Sequence, residues 1–254
     1  MKFLARCAYD GADYYGFARS QGKTTIQKTI EETLIRIFHN FLPCHEGIVG
    51  GSRTDKGVHA LDQCFTFHAP DHLESQYLLN LLNHHLPASI RVHSVSQVGG
   101  DFHLPSLIES KNYIYLISHS PNLSPFLSRY LYSNVHQYPA SDWNQFFALM
   151  QGKHDFRAFA KESYRYNSTI CNLKEIYAAY LPEKELTLLF FTADRFLYNM
   201  IRRIIGFAEM LLKKKARQAS SFDELVEKYH CWCSHRAPAQ GLYLYKTHLK
   251  SEHK

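Results

Sequence analysis

The 254-residue chain has no apolar run near the roughly 18–20 residues that a membrane helix requires. Its first residues, MKFLARCAYDGADYYG, lack the apolar stretch of a secretory signal and meet charge early. A membrane-spanning helix is therefore excluded, and a cytoplasmic location is the expectation. Cysteine is sparse: six in all, too few for a disulfide framework. Cys7 and Cys64 fall in strand-like runs and read as small core residues. No repeat is detectable, and no cofactor-binding motif is present. What is there is 45% hydrophobic and 14% aromatic, with 20% charged residues and clear periodicity, which excludes global disorder. A chain of this length buries a substantial core without staples.

Charge is unevenly spread. Residues 1–105 hold 9 Lys+Arg and 10 Asp+Glu, net −1, whereas residues 106–254 hold 20 and 13, net +7. A basic half is the footprint of a polyanion partner, because Lys and Arg release phosphate-bound counterions. A solvated basic surface that aids solubility gives the same balance.

The first half alternates strands and helices. Lys2–Tyr9 is β-like, and Thr24 with Gln27 resembles a capping box. Ile26, Ile30, Leu34, Ile37, Phe38 and Phe41 then recur at helical spacing. Residues 46–51 form a short strand. Leu61, Gln63, Phe65 and Phe67 alternate with Asp62, Cys64, Thr66 and His68, the pattern of a half-buried strand. Asp71 with Glu74 opens a helix carrying Tyr77, Leu78, Leu81 and Leu82, and residues 90–98 form a further strand. This β-α-β-β-α-β order is the ferredoxin-like plan. The second half follows with a strand at 109–118, a short strand-like run at 130–135, and a helix at 141–151 bearing Trp143, Phe146, Phe147 and Met150. A hairpin at 170–180 and 185–193, a long helix at 197–214, a short helix capped by Ser221 with Glu224, and a strand at 241–248 complete it. The fold class is thus α/β (α+β): two ferredoxin-like or RRM-like halves, residues 1–105 and 106–254, with a largely antiparallel sheet and a central cleft, where sites often lie. The tail 251–254 is expected to fray.

The densest chemical signal is Gly50-Gly51-Ser52-Arg53-Thr54-Asp55-Lys56-Gly57-Val58-His59-Ala60, a loop between two strand-like runs. Its glycines allow a sharp turn or a close approach to a ligand. Asp55 lies between Arg53 and Lys56, and neighbouring cations favour an ionised carboxylate, which suits a nucleophile or base. An ordinary glycine-bearing turn with a surface ion pair fits the same residues.

This loop resembles the active-site signature of the tRNA pseudouridine synthase A family. The likeness continues through Tyr9-Asp10-Gly11 with Tyr15-Gly16-Phe17, Asp101-Phe102-His103, Tyr113-x-Tyr115 and His154-Asp155-Phe156-x-x-Phe159. It ends with Phe196 through Gly206 in the long-helix block and Gly241-Leu242-Tyr243-Leu244 in the last strand. The resemblance implies a pseudouridine synthase fold and isomerisation of uridine in the anticodon stem-loop of tRNA, at positions 38, 39 and 40. By resemblance Asp55 is the catalytic aspartate, Tyr113 stacks on the target base, and Arg202 pairs with the aspartate. Arg53 helps to displace the target nucleotide, and Leu242 walls the base. Breaking the glycosidic bond, turning the base and joining carbon 5 to the sugar requires the base to leave its stack, hence a wedge and an aromatic platform. The carboxylate can attack base or sugar, or take a sugar proton. The implied partners are tRNA and a second copy of the chain, with no cofactor, metal or membrane.

The chain departs from that pattern at Leu104-Pro105, at Phe17-Ala18, at Lys56, and at Lys111, which stands where an arginine is usual before the tyrosine and keeps charge without the planar fork. His230-Cys231-Trp232-Cys233-Ser234-His235 lacks a knuckle spacing and is not expected to bind metal. His84-His85 reads as a surface cap ending a leucine-rich helix. Lys213-Lys214-Lys215-Ala216-Arg217 ends the long helix, where either the dipole or an RNA phosphate accounts for it.

Overall fold

The structure, a computed structural model, describes residues 1–38, 47–216 and 219–250. The expectations for Phe41, for Glu46 at the start of the second strand, for Arg217 and for the tail 251–254 lie outside the described residues. Two compact units are present: Met1–Glu109 with Tyr243–Lys254, and Ser110–Leu242.

In the first unit the strands are β1 (Lys2–Tyr9), β2 (Val49–Gly50), β3 (His59–His68), β4 (Ile90–Val98) and the terminal β10 (Leu242–Leu249), with helices α1 (Ile26–Phe38), α2 (Ser75–His85) and the short α3 (Leu104–Leu107). Spatial order is β4-β1-β3-β10, with β2 on β3. Pairing is antiparallel except for β3 with β10, where Tyr243 faces His59 and Leu244 faces Ala60. Ile26, Ile30 and Leu34, spaced three to four apart, are fully buried on α1. Its first turn is capped by Thr25, not Thr24: the Lys28 amide donates to Thr25 Oγ1 at 3.2 Å, while Gln27 turns its amide to Glu31 and the Ile48 carbonyl. Helix α2 starts at Ser75 with Glu74 at its N-cap and no side-chain cap; Asp71, expected to open it, lies three residues earlier and pairs with the N-terminal ammonium at 2.5 Å.

β3 corrects the half-buried expectation. Gln63 through Phe67 are all buried, and Leu61 is exposed. A central strand has both faces covered, so alternation of sequence does not become alternation of exposure. One face joins Leu4, Cys64, Phe102, Leu104 and Leu249 in a cluster. Phe67 stacks on Phe3, with centroids 5.7 Å apart.

The C-terminal strand is fastened to this unit by polar bonds as well. Asp62 Oδ2 accepts from Arg6 Nη1 at 2.5 Å and from the Thr247 amide at 3.2 Å, and the Arg6 guanidinium also donates to the Thr247 carbonyl. Burial raises the Asp62 carboxyl's pKa, but these bonds and the Arg6 charge outweigh it and leave it below its ordinary value.

The second unit contains β5 (Ile108–Ser118), which starts at the unit boundary, with β6 (Tyr132–Ser133), β7 (Gly152–Asp155), β8 (Ile170–Leu181) and β9 (Leu186–Ala193) in the order β5-β9-β8-β7, antiparallel except for β5 with β6. Helices α4 (Ala140–Met150), α5 (Met200–Lys213) and α6 (Phe222–Lys228) complete it. α4 buries Trp143, Phe146, Phe147 and Met150. α5 buries Ile201, Ile204, Ile205, Phe207, Ala208, Leu211 and Leu212, each large side chain contributing roughly 1.5–3 kcal/mol. The long helix starts at Met200 rather than 197, after Asn199 in the left-handed region at φ 64°. Ser221 caps α6 as expected, accepting from the Glu224 amide at 3.2 Å. By sequence this unit holds 17 Lys+Arg and 11 Asp+Glu, net +6, whereas the first unit holds 12 of each. The whole formal charge of the chain therefore resides in the second unit. Among the described residues no helix is long and apolar enough to cross a membrane.

Candidate active site

The loop from Gly51 to Val58 joins β2 to β3, and its conformation is fixed from three sides. The amide of Gly51 donates to the Cys64 carbonyl at 2.8 Å. The Gln63 side chain closes a two-way bond with the Ser52 backbone, at 3.1 and 2.7 Å, which holds the loop to its own strand. Thr54 is buried, with its hydroxyl 2.7 Å from the Tyr9 hydroxyl and its carbonyl accepting from the Phe17 amide at 3.2 Å. The Gly57 amide donates to the Tyr14 carbonyl at 3.2 Å, and the Gly11 amide to His59 Nδ1 at 3.1 Å.

The blocks at residues 9–17 and 50–60, far apart in sequence, are thus one framework. Gly16 is required in it: φ is +92°, and a Cβ there would lie 2.5 Å from the Thr54 carbonyl oxygen. Within the framework Asp55 is half-buried and Arg53 exposed. The loop turns on a bond from the Val58 amide to the Asp55 carbonyl at 3.1 Å. The backbone that carries the carboxylate is thus held in place, a requirement for a positioned nucleophile or base.

The other expected site residues lie in the second unit, by the unit boundaries above. Tyr113 is on β5, opposite Phe191, and is buried. Its ring meets Phe196 edge-to-face, with centroids 5.2 Å apart at 83°. Lys111, opposite Ala193 on the same strand, is partly buried. Arg202 is buried in the first turn of α5, and its Nε donates to the Ala237 carbonyl at 2.8 Å. Leu242 opens β10 and is buried. α5 lies so close to the segment before β10 that a Cβ on Gly206 would be 2.8 Å from the His235 backbone.

Two arrangements were not anticipated from the sequence. The first is a polar cluster behind β5. Burial pushes the Glu209 carboxyl up to about 7, against hydrogen bonds from Asn134 (3.0 Å) and Tyr132 and the charge of Lys213, which lower it. Burial and the nearby Glu209 push Tyr132 up to about 12, and the same causes raise Tyr115, whose hydroxyl donates to the Pro238 carbonyl at 2.9 Å. The available signal was a lone carboxylate on the same helical stripe as Ile205 and Leu212. The second is an exposed group of Tyr15, Lys23 and Lys56. Lys56 Nζ lies 4.1 Å and Lys23 Nζ 4.7 Å from the Tyr15 ring centroid.

In the run 230–235, Cys231 is exposed, while burial pushes the Cys233 thiol up to about 12. Among the described residues no three His, Cys, Asp or Glu side chains converge into a metal-binding group. His84 and His85 lie in the last turn of α2, and Lys213–Lys215 are exposed at the end of α5.

The chain matches the model of a family described as tRNA pseudouridine synthase over residues 5–104 and 147–248. It is 30% identical over 250 residues to tRNA pseudouridine synthase A of Geobacillus kaustophilus, covering 96% of this chain and 93% of that one. It is 32% identical over 251 residues to tRNA pseudouridine synthase A of Staphylococcus saprophyticus, covering 98% and 91%. The tRNA pseudouridine synthase A of Dictyoglomus thermophilum is 32% identical over 246 residues, covering 94% and 96%. A chain from an H/ACA RNP bound to a substrate RNA containing 2′-deoxyuridine aligns over 82% of this chain and 52% of its own, at 12% identity and a TM-score of 0.35, too low to bear on the fold.

Proposed function

The chain belongs to the tRNA pseudouridine synthase family, and we propose on that footing that it isomerises uridine to pseudouridine in the anticodon stem-loop of tRNA, at positions 38, 39 and 40. The observation that carries the reading is the half-buried Asp55 on a loop pinned through Ser52, Thr54 and Gly57. Substrate and product are isomers. The bond from N1 to the sugar breaks, the base turns, carbon 5 joins the sugar, and the proton on carbon 5 leaves while N1 gains one. No electrons and no group are supplied from outside, so the reaction asks for a carboxylate, a cation and a place for an unstacked base.

In this reading Asp55 supplies the carboxylate, whether to the base, to the sugar carbon or to a sugar proton. Arg202 supplies the cation that keeps it ionised. Tyr113 supplies the surface on which the base stacks and a phenol able to take its proton. Arg53, exposed on the same loop as Asp55, displaces the target nucleotide. Leu242 and Lys111 bound the base and its phosphate. The basic second unit attracts the RNA through counterion release. The enzyme acts as a cytoplasmic homodimer without cofactor or metal.

The test is release of tritium from tRNA labelled at carbon 5 of uridine, followed by mapping of the modified positions by mass spectrometry. The reading expects release with the base retained on the RNA, at positions 38–40. Release from another arm of the tRNA would move the site. Loss of the base would make the protein a hydrolase.

A further inference from the structure

We propose that Tyr15, Lys23 and Lys56 form a phosphate-binding site on the Asp55 loop, which takes a phosphodiester of the substrate RNA. The proposal rests on the reading that the chain acts on tRNA and adds a contact outside the residues so far given roles.

Three segments meet there. The Tyr15 amide donates to the Thr24 carbonyl at 2.9 Å, which ties the tyrosine to the turn that carries Lys23. On either side of Tyr15, the Tyr14 carbonyl accepts from Gly57 and the Phe17 amide donates to Thr54, both at 3.2 Å, which ties it to the loop that carries Asp55 and Lys56. Gly16 locks that backbone, as shown above. The ring of Tyr15 is therefore fixed next to the carboxylate loop although it is 44% exposed.

Both lysines are exposed and free to extend into solvent, yet both ammonium groups lie over this one ring, at 4.1 and 4.7 Å from its centroid. That is within cation–π range. It also brings two like charges inside the screening length of about 10 Å at 0.1 M salt. Each ammonium gains from the ring and loses from its neighbour, so the arrangement does little for folding. An anion that both ammonium groups reach at the ring turns the repulsion into a two-point clamp, supplied by six N–H donors. The first unit carries no net charge, so the attraction here comes from these placed lysines and not from an overall positive charge of the unit. A phosphodiester fits because it is the one anion that an RNA substrate repeats along its strand. Lys56 follows Asp55 directly, so the phosphate held belongs to a nucleotide beside the one that reacts.

The test uses the full-length protein and an unmodified tRNA transcript, with filter binding from 50 to 200 mM KCl. The double variant Lys23→Gln, Lys56→Gln should lower the slope of log affinity against log salt by about 0.7–0.9, the share of one phosphate contact, and weaken binding about 10-fold at the low-salt end. A charge-matched double variant at exposed positions elsewhere in the first unit, Lys246→Gln with Lys250→Gln, should leave the slope as in the wild type. Tyr15→Phe should keep the wild-type slope, because it keeps the ring, whereas Tyr15→Leu should lose part of it. An unchanged slope in the first double variant overturns the proposal, and so does an equal fall in both double variants. Tritium release by the wild type is scored separately. A protein that shows the slope change but no release would keep the phosphate site and lose the isomerase reading.

Discussion

Arg202 and Ala237 hold each other twice: Arg202 Nε donates to the Ala237 carbonyl at 2.8 Å, and the Ala237 amide donates to the Arg202 carbonyl at 2.9 Å. One N–H of the guanidinium thus anchors the segment that leads into Leu242. Arg202→Lys keeps the charge but loses the Nε donor and the fork. Both Arg202→Lys and Arg202→Met should lose about 1–3 kcal/mol of stability, through the buried carbonyl left without this donor. Both should also turn over at least 100-fold more slowly at temperatures where circular dichroism shows them folded. Wild-type turnover by folded Arg202→Met would remove Arg202 from the reaction and leave only its structural bond.

Tyr113 packs edge-to-face on Phe196 within β5, so its ring has a structural use apart from its hydroxyl. Tyr113→Phe should melt like the wild type but react more slowly, having lost the proton acceptor. Tyr113→Leu should lose the stacking surface too, worth about 1–3 kcal/mol per base. Single-turnover rates and melting curves for the two variants separate these losses. Equal rates for Tyr113→Phe and the wild type would assign the residue to stacking alone.

Glu209 makes stability depend on pH in a direction opposite to most carboxylates. Its folded value, raised to about 7 by burial, exceeds the ordinary 4.5, so the folded state holds the proton more tightly than the unfolded one. Stability from this group is full below about 4.5 and is lost as pH rises through about 7. Glu209→Gln mimics the protonated form. Urea unfolding should therefore find the variant more stable than the wild type at pH 8, by up to about 3 kcal/mol, and nearly equal to it at pH 4.5. A difference that does not change between those pH values would contradict the assignment.

The order of strands and helices was legible because periodicity is local: the stripe from Ile26 to Leu34 and the apolar face of α5 read directly from spacing. The Asp55 loop was legible as a motif for the same reason. What supports it was not. The bond between Tyr9 and Thr54 joins residues 45 apart, and Asp62 reaches Thr247 across 185, so neither the framework of the loop nor the membership of β10 in the first unit follows from any window of sequence. The shift of the helix cap from Thr24 to Thr25 turns on which hydroxyl faces the Lys28 amide, a matter of one residue's backbone. Burial of β3 on both faces depends on elements packed over the sheet, such as Phe102 and Leu104 against Cys64, so the Leu-Asp-Gln-Cys alternation misled. Tyr15 and its two lysines are separated in sequence and converge only through the turn and the loop that flank the tyrosine.

The central claim is that Asp55 performs the chemistry, and Asp55→Asn tests it most directly. The change is nearly isosteric and leaves the bonds of Ser52, Thr54 and Gly57 in place, so the loop should keep its shape and the RNA its phosphate contacts. Single-turnover tritium release from tRNA labelled at carbon 5, with enzyme saturating and filter binding run in parallel, gives both answers at once. The account predicts affinity close to wild type and no release of tritium. Release at the wild-type rate by the Asp55→Asn variant would contradict it.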